Sequence, residues 1–239
     1  MELLTSDSDV LESAEAATCG QRWALVALNW VVTGTGYRVP GTRLADRPDP
    51  HPTTKMTRLI MWNLVTLDGF FEGAKKWDLD WHEYAWGDEL AQFTLEQEKT
   101  ADALLFGRVT YEGMAAYWKT SKGETADFMN RVPKVVFSRT LAKADWNNSR
   151  VVGKDAAGEV AKMKKASGQN IFVFGSADLS KTLMEHDLFD EYRLCVAPVV
   201  LGEGTPLFKK IASRKRMKLR ETRPLKSGGV ILFYEPTKS

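Results

Sequence analysis

The sequence predicts an α/β fold: three layers, with a central mixed and mostly parallel sheet flanked by helices and with antiparallel strands at the C-terminal end. Three observations lead there. From Arg58 onward short apolar runs alternate with helical stretches. The runs "ALLFG" and "IFVFG" are apolar at every position rather than every second one, as strands covered on both faces are. Past residue 190 the helical stretches stop while strand-like runs continue.

Taken in order, "RLIMWNLV" (58 to 65) is the first strand, followed by a helix over about 82 to 99. "ADALLFG" (101 to 107) is a buried strand that passes directly into a helix beginning near Arg108. "KVVFS" (134 to 138), a short strand around Arg150 to Val152 and a helix over about 155 to 166 come next. "NIFVFG" (170 to 175) is the clearest buried strand, with a helix starting in "SADLSKTLMEH". The runs "EYRLCVAPVVLG" (191 to 202), "RKRMKLRETRPLK" (214 to 226) and "GVILFYEP" (229 to 236) read as long strands without helices between them.

Residues 1–55 have a different character. They hold "PGTRLADRPDPHP" and no sustained periodicity, and so read as an N-terminal extension, disordered and outside the fold, with residues 56–239 as the domain. The apolar stretch "WALVALNWVV" (23 to 32) is only ten residues long and follows an acidic segment, which favours neither export nor membrane insertion. Thirty-three basic against 31 acidic residues leave a net charge of +2, so no broad field points to nucleic acid or an anionic membrane. Cys19 and Cys195 stand far apart without metal-ligand spacing, which indicates neither a disulfide framework nor a metal site. A cytoplasmic protein is expected.

The chemistry gathers where strands end. Gly107 precedes "RVTYEGM" and Gly175 precedes "SADLSKTL". Glycine lets a backbone approach a ligand, and a helix N-terminus offers unpaired N–H groups to an anion. In "FSRT", Ser138 and Arg139 follow another strand, and a guanidinium bonds two phosphate oxygens at once, so Arg108 and Arg139 together suit a monoester phosphate. Each turn alone is also ordinary turn chemistry. There is no GxGxxG opening the first strand-helix unit and no GxxxxGK[ST].

"LVTLDGFFEG" (64 to 73), "ADALLFGRVTYEGM" (101 to 114), "KVVFSRTL" (134 to 141), "IFVFGSADL" (171 to 179) and "APVVLGEGTPLF" (197 to 208) occur in the order and spacing of the dihydrofolate-reductase-like superfamily. They most resemble the reductase domain of the bifunctional riboflavin-biosynthesis deaminase-reductase and its stand-alone relatives. The resemblance implies NADPH as hydride donor and a small heterocyclic substrate. It places Gly107, Arg108, Thr110, Ser138, Arg139 and Thr140 at the adenosine side and its 2′-phosphate, and Gly175, Ser176, Ala177 and Leu179 at the pyrophosphate. It also sets the "TLDG" loop with Asp68 and Gly69 over the nicotinamide and substrate, and it implies a homodimer paired through the C-terminal strands.

Hydride transfer to a C=N or C=O bond leaves charge that a positioned acid, or a water it orients, must neutralise. Asp68 is one candidate, with an Asp-Gly turn role as the alternative. Glu89 is the other, four residues before Phe93, a spacing similar to the acid and aromatic of dihydrofolate reductases. The aromatics of "WDLDWHEYAW" (77 to 86) read either as a wall for a planar heterocycle or as a packed cluster, and His82 either as a donor or as a structural residue. The deaminase signature, HxE with PCxxC, does not occur, so reduction alone is expected. A phosphoribosyl-pyrimidine substrate, a pterin or dihydrofolate substrate, and cofactor binding without turnover remain open.

Overall fold

Alternation decides which face each central strand residue takes. In β1 (Arg58–Val65), Leu59 and Met61 point to one side, and Ile60 and Trp62 to the other. The same division runs through β3 (Ala101–Gly107), with Leu105 opposed to Leu104 and Phe106. In β6 (Asn170–Val173), Ile171 and Val173 are opposed to Phe172. Two apolar layers result, one on each face. The computed structural model describes residues 57–166 and 168–237, and the expected N-terminal extension lies outside the described residues.

Around these strands stand β4 (Lys134–Phe137), β5 (Ser149–Val152), β7 (Glu191–Val196), β9 (Met217–Pro224) and β10 (Val230–Pro236). The eight-stranded sheet has the order β5-β4-β3-β6-β1-β7-β10-β9. Its pairs are parallel from β5 through β7, whereas β10 runs antiparallel to both β7 and β9. This is the mixed, mostly parallel sheet that the sequence predicts. The short strands β2 (Phe70–Glu72) and β8 (Thr205–Pro206) pair separately.

One layer holds α1 (Asp88–Glu98), α2 (Arg108–Trp118) and α3 (Glu124–Arg131), whose Leu90, Phe93, Tyr111, Ala115 and Phe128 pack with Ile60, Trp62 and Phe106. The opposite layer holds α4 (Ala156–Lys165) and α5 (Ala177–Glu185), which bring Val160, Leu179 and Leu183 against Leu59, Met61 and Val173. Truncating any of these fully buried leucines to alanine removes about 2–5 kcal/mol.

Three boundaries differ from expectation. The helix expected over 82 to 99 is divided into a 3-10 turn at Asp80–Tyr84 and α1, with extended backbone at Gly87 between them. The strand expected over 191 to 202 stops at Val196, since Pro198 two residues on has no N–H for the ladder. The run 214 to 226 contributes only Met217–Pro224, an edge strand whose exposed Lys218, Arg220 and Glu221 discourage pairing with another sheet.

A charged residue that opens a strand is ordinarily solvated, but Lys134 is 1% exposed. Its Nζ donates to the Met129 and Val132 carbonyls at 2.6 and 2.7 Å, satisfying the C-terminal end of α3, and lies 4.4 Å from the centre of the Trp146 ring. Burial pushes its amine down to about 8.

Glu98 closes α1 next to Thr125, Glu124 and Arg131 of α3. Burial is the main reason its carboxyl is pushed up to about 7. A hydrogen bond from Thr125 opposes this, Glu124 adds to it, and Arg131 works against it. The folded state therefore holds this proton more tightly than the unfolded chain. Its contribution to stability is complete below the ordinary value of 4.5 and is lost as pH rises through about 7. Glu98→Gln should match the wild-type melting temperature near pH 4 and exceed it at pH 8. Parallel pH profiles for the two proteins would show that Glu98 does not carry this proton.

Candidate functional site

The strand order fixes where a ligand belongs. From β3 the chain moves outward to β4 and β5, whereas from β6 it crosses β1 to reach β7. The carboxyl ends of the neighbouring strands β3 and β6 thus border a topological switch point, the place where open α/β sheets form a crevice. Because α2 and α5 lie on opposite faces, their N-termini converge there from two sides. Each presents first-turn amides with no intrahelical acceptor and the positive end of a helix dipole.

The two glycine turns are bonded to each other. Gly107 N–H donates to Ser176 Oγ at 3.0 Å, and Ser176 N–H donates to Thr110 Oγ1 at 3.1 Å. Gly175 has φ +51° and Ser176 φ 54°, a left-handed pair at the start of α5. The strain this places on a non-glycine residue is offset by Ser176 being buried and bonded through both its amide and its hydroxyl. A methyl on Gly175 would press on Thr110 at 3.3 Å and on Phe71 at 3.6 Å.

The glycines therefore shape the junction, while their own amides are engaged within the protein. The amides left for an anion are those of Arg108, Val109 and Thr110 on one side and Ala177, Asp178 and Leu179 on the other. The Ala177 and Leu179 side chains are buried, so these residues face the crevice through backbone only.

Phe137 pairs with Gly107 across β4 and β3, which brings Ser138 next to Arg108 at the same edge. Ser138 Oγ accepts from the Thr140 and Leu141 amides at 3.1 and 2.9 Å and so sets the turn that displays Arg139 and Thr140, both exposed. Arg108 is held by Glu112, one helical turn away, at 2.9 Å. That pair is solvated and contributes only about 0.3–0.5 kcal/mol, against about 1.5–3 kcal/mol for a hydrogen bond to a charged group, so a phosphate would displace it.

The "TLDG" turn has Gly69 at φ +85° as its hinge. Asp68 accepts from Thr66 Oγ1 at 2.5 Å and from the Gly202 and Leu201 amides at 2.8 and 3.4 Å. The Thr66 hydroxyl is the main reason its carboxyl lies below the usual value, with the two amides adding to the effect, so at neutral pH it is a carboxylate joining two loops.

Glu89 accepts from the Lys226 amide at 2.6 Å and lines a cleft of about 400 Å³ with Arg223 and Leu225 beside the β9–β10 hairpin. His82 is packed edge-on against Trp81, and burial pushes its imidazole down to about 3, which removes it as a proton donor near neutral pH.

Asn63 was not singled out in the sequence. It is 6% exposed on β1, and its Oδ1 accepts from Gly175 N–H at 2.6 Å. Its Nδ2 is buried without a hydrogen-bond partner among the described residues. A polar residue inside "RLIMWNLV", where its neighbours are apolar, was the available signal.

Comparison with known proteins agrees with this architecture. The model of the RibD C-terminal domain matches residues 57–231. The Bacillus subtilis (strain 168) protein YyaP, itself uncharacterized, is 35% identical over 191 residues, which is 75% of this chain and 95% of YyaP. A proposed riboflavin biosynthesis protein from Shewanella sp. PV-4 superposes with a TM-score of 0.65 at 18% identity, covering 76% of this chain and all of that one. The Thermotoga maritima diaminohydroxyphosphoribosylaminopyrimidine deaminase/5-amino-6-(5-phosphoribosylamino)uracil reductase gives 0.56 at 14% identity, over 77% of this chain and 58% of that one. Dihydrofolate reductase from Enterococcus faecalis, in complex with NADP(H), gives 0.53 at 15% identity, over 76% and 97%. The fold is dihydrofolate-reductase-like, and the chain belongs to the RibD C-terminal domain family.

Proposed function

We propose that residues 56–239 form an NADPH-dependent reductase of a small heterocyclic substrate, similar to 5-amino-6-(5-phosphoribosylamino)uracil reductase. The observation that carries this reading is the convergence of two helix N-termini, from opposite faces of the sheet, on the bonded Gly107 and Gly175–Ser176 turns. Family membership and the NADP(H) complex of the Enterococcus neighbour support the choice of cofactor.

The residues present fit such a group. The Asn63 Nδ2 donor, without a hydrogen-bond partner among the described residues beneath the Gly175 turn, and the exposed Arg139 are both suited to an anionic ligand. The amides of Ala177, Asp178 and Leu179 after Ser176 would hold a pyrophosphate. Arg108 and Arg139, with Ser138 and Thr140, would hold the 2′-phosphate. When bound, NADPH supplies the hydride. Asp68, ionised and fixed between two loops, orients the water or substrate group through which the proton arrives. Glu89 pins the hairpin at Lys226.

Loss of NADPH absorbance across a panel of pterins and of pyrimidines, with and without a phosphoribosyl group, tests the reading directly. No oxidation of NADPH by any of them would leave cofactor binding without turnover. Arg139→Ala should weaken NADPH binding by about 1.5–3 kcal/mol and leave NADH nearly unchanged. Equal losses for the two would remove the 2′-phosphate assignment.

Asp68→Asn should lower turnover by about a hundredfold at unchanged NADPH affinity. Loss of folding or of cofactor binding would instead make Asp68 a turn-forming residue.

A homodimer is part of the same proposal. The face of β7, β9 and β10 that carries Tyr192, Leu194, Met217 and Tyr234, with Phe208 beside it, forms an apolar depression of about 180 Å³. Sedimentation at micromolar concentration should give twice the chain mass of 26.8 kDa, and a monomer would count against pairing.

A further inference from the structure

Four tryptophan and tyrosine side chains lie close together in "WDLDWHEYAW", and the structure gives them different roles. Trp81 is core, 1% exposed. Tyr84 is exposed at 52%, and Trp86 packs along the rim of the first apolar layer. Trp77 is set on α2. Its six-membered ring covers the α-carbon of Gly113 so closely that a methyl there would overlap Cζ2, Cε2 and Cη2. Gly113 is thus a notch that receives the indole.

The loop holds this residue in an unusual state. Trp77 has φ 64°, left-handed backbone that a bulky side chain rarely adopts. Its amide donates to Glu72 Oε1 at 2.7 Å, while Glu72 Oε2 accepts from Thr205 Oγ1 at 3.1 Å, so the β2–β8 pair fixes the loop from below. Gly73 N–H donates to the Asp78 carbonyl at 2.9 Å and closes the loop. Several independent bonds hold this strained backbone in place.

The location supplies the use. Gly113 is one helical turn from Thr110, which bonds the Ser176 amide, and Tyr117 is one turn further on the same face of α2. Phe71, in β2 just before the same loop, lies against Gly175. The segment from Phe71 to Trp77 therefore runs from the Gly175 turn to the middle of α2, where the indole is half-buried.

We propose that Trp77, seated on Gly113, is a wall of the substrate pocket and selects a planar heterocycle by stacking on it. This rests on the reductase reading for the position of the cofactor. The contact between Trp77 and Gly113 does not depend on that reading.

The test uses the full chain and 2,4-diaminopteridine, a planar probe with neither ribose nor phosphate, with and without NADPH. The probe should saturably quench tryptophan emission of the wild type. Trp77→Phe should keep binding within about fivefold while losing most of the quench. Trp77→Ala should raise the probe Kd at least about tenfold, in keeping with the loss of one stacked ring. Gly113→Ala, which unseats the indole without removing it, should do the same, and NADPH affinity should stay within about twofold in all three.

Probe affinity unchanged in a Trp77→Ala protein that melts like the wild type would overturn the proposal. So would an unchanged quench in Trp77→Phe, which decides the matter if Trp77→Ala does not fold, or no probe binding by the wild type. A parallel fall in NADPH and probe affinity would also overturn it, as a general collapse of the site. A wild type that binds the probe through Trp77 but not NADPH would sink the reductase reading and leave the pocket standing.

Discussion

The pair of hydrogen bonds that joins the two strand-end turns, Gly107 N–H to Ser176 Oγ and Ser176 N–H to Thr110 Oγ1, is the interaction on which the rest of the site depends. It couples a helix on one face of the sheet to a helix on the other through a single serine. Without it the two N-termini would be positioned by separate apolar layers, each free to settle by small rotations of its own helix. With it, the spacing of two sets of amides is set by covalent geometry and two bonds near 3 Å, and a ligand that needs both finds them in place. Asn63 extends the same linkage to β1 through the Gly175 amide.

Much of this was legible in the sequence, for reasons that can be stated residue by residue. "ALLFG" and "NIFV" could be read as central parallel strands because burial on both faces leaves no room for polar alternation. The two glycines could be read as strand ends because each is followed at once by helical periodicity. Three things could not be read. That Ser176 bonds to Gly107 and Thr110 depends on β3 and β6 being neighbours, and residues 69 apart in sequence carry no local sign of it. Lys134 looks like a solvated strand start until α3 places two carbonyls over it. Gly113 looks like a weak point in a helix until a tryptophan 36 positions earlier is found filling it.

The candidate acids separate for a physical reason as well. Asp68 and Glu89 are alike in sequence, each a carboxylate near a turn or a helix start. The strand order carries Glu89 to the β9–β10 hairpin, where a backbone amide takes its oxygen, while Asp68 follows β1 directly and joins the loop beyond β7, its parallel neighbour. Where each carboxylate stands is a property of topology, and spacing along one helix could not supply it.

The position of β10 has a consequence for how the chain reaches this state. Among the described residues it is the last strand, yet it stands inside the sheet, between β7 and β9, and the outermost strand pairs with it alone. During synthesis β9 emerges with nothing to pair to, and β7 presents an open edge until Val230–Pro236 has left the ribosome. The half of the sheet that carries the strand-end turns can assemble while translation continues, whereas the far side closes only once β10 has been made. The cations along β9 thus guard the edge that the closing hairpin leaves outermost.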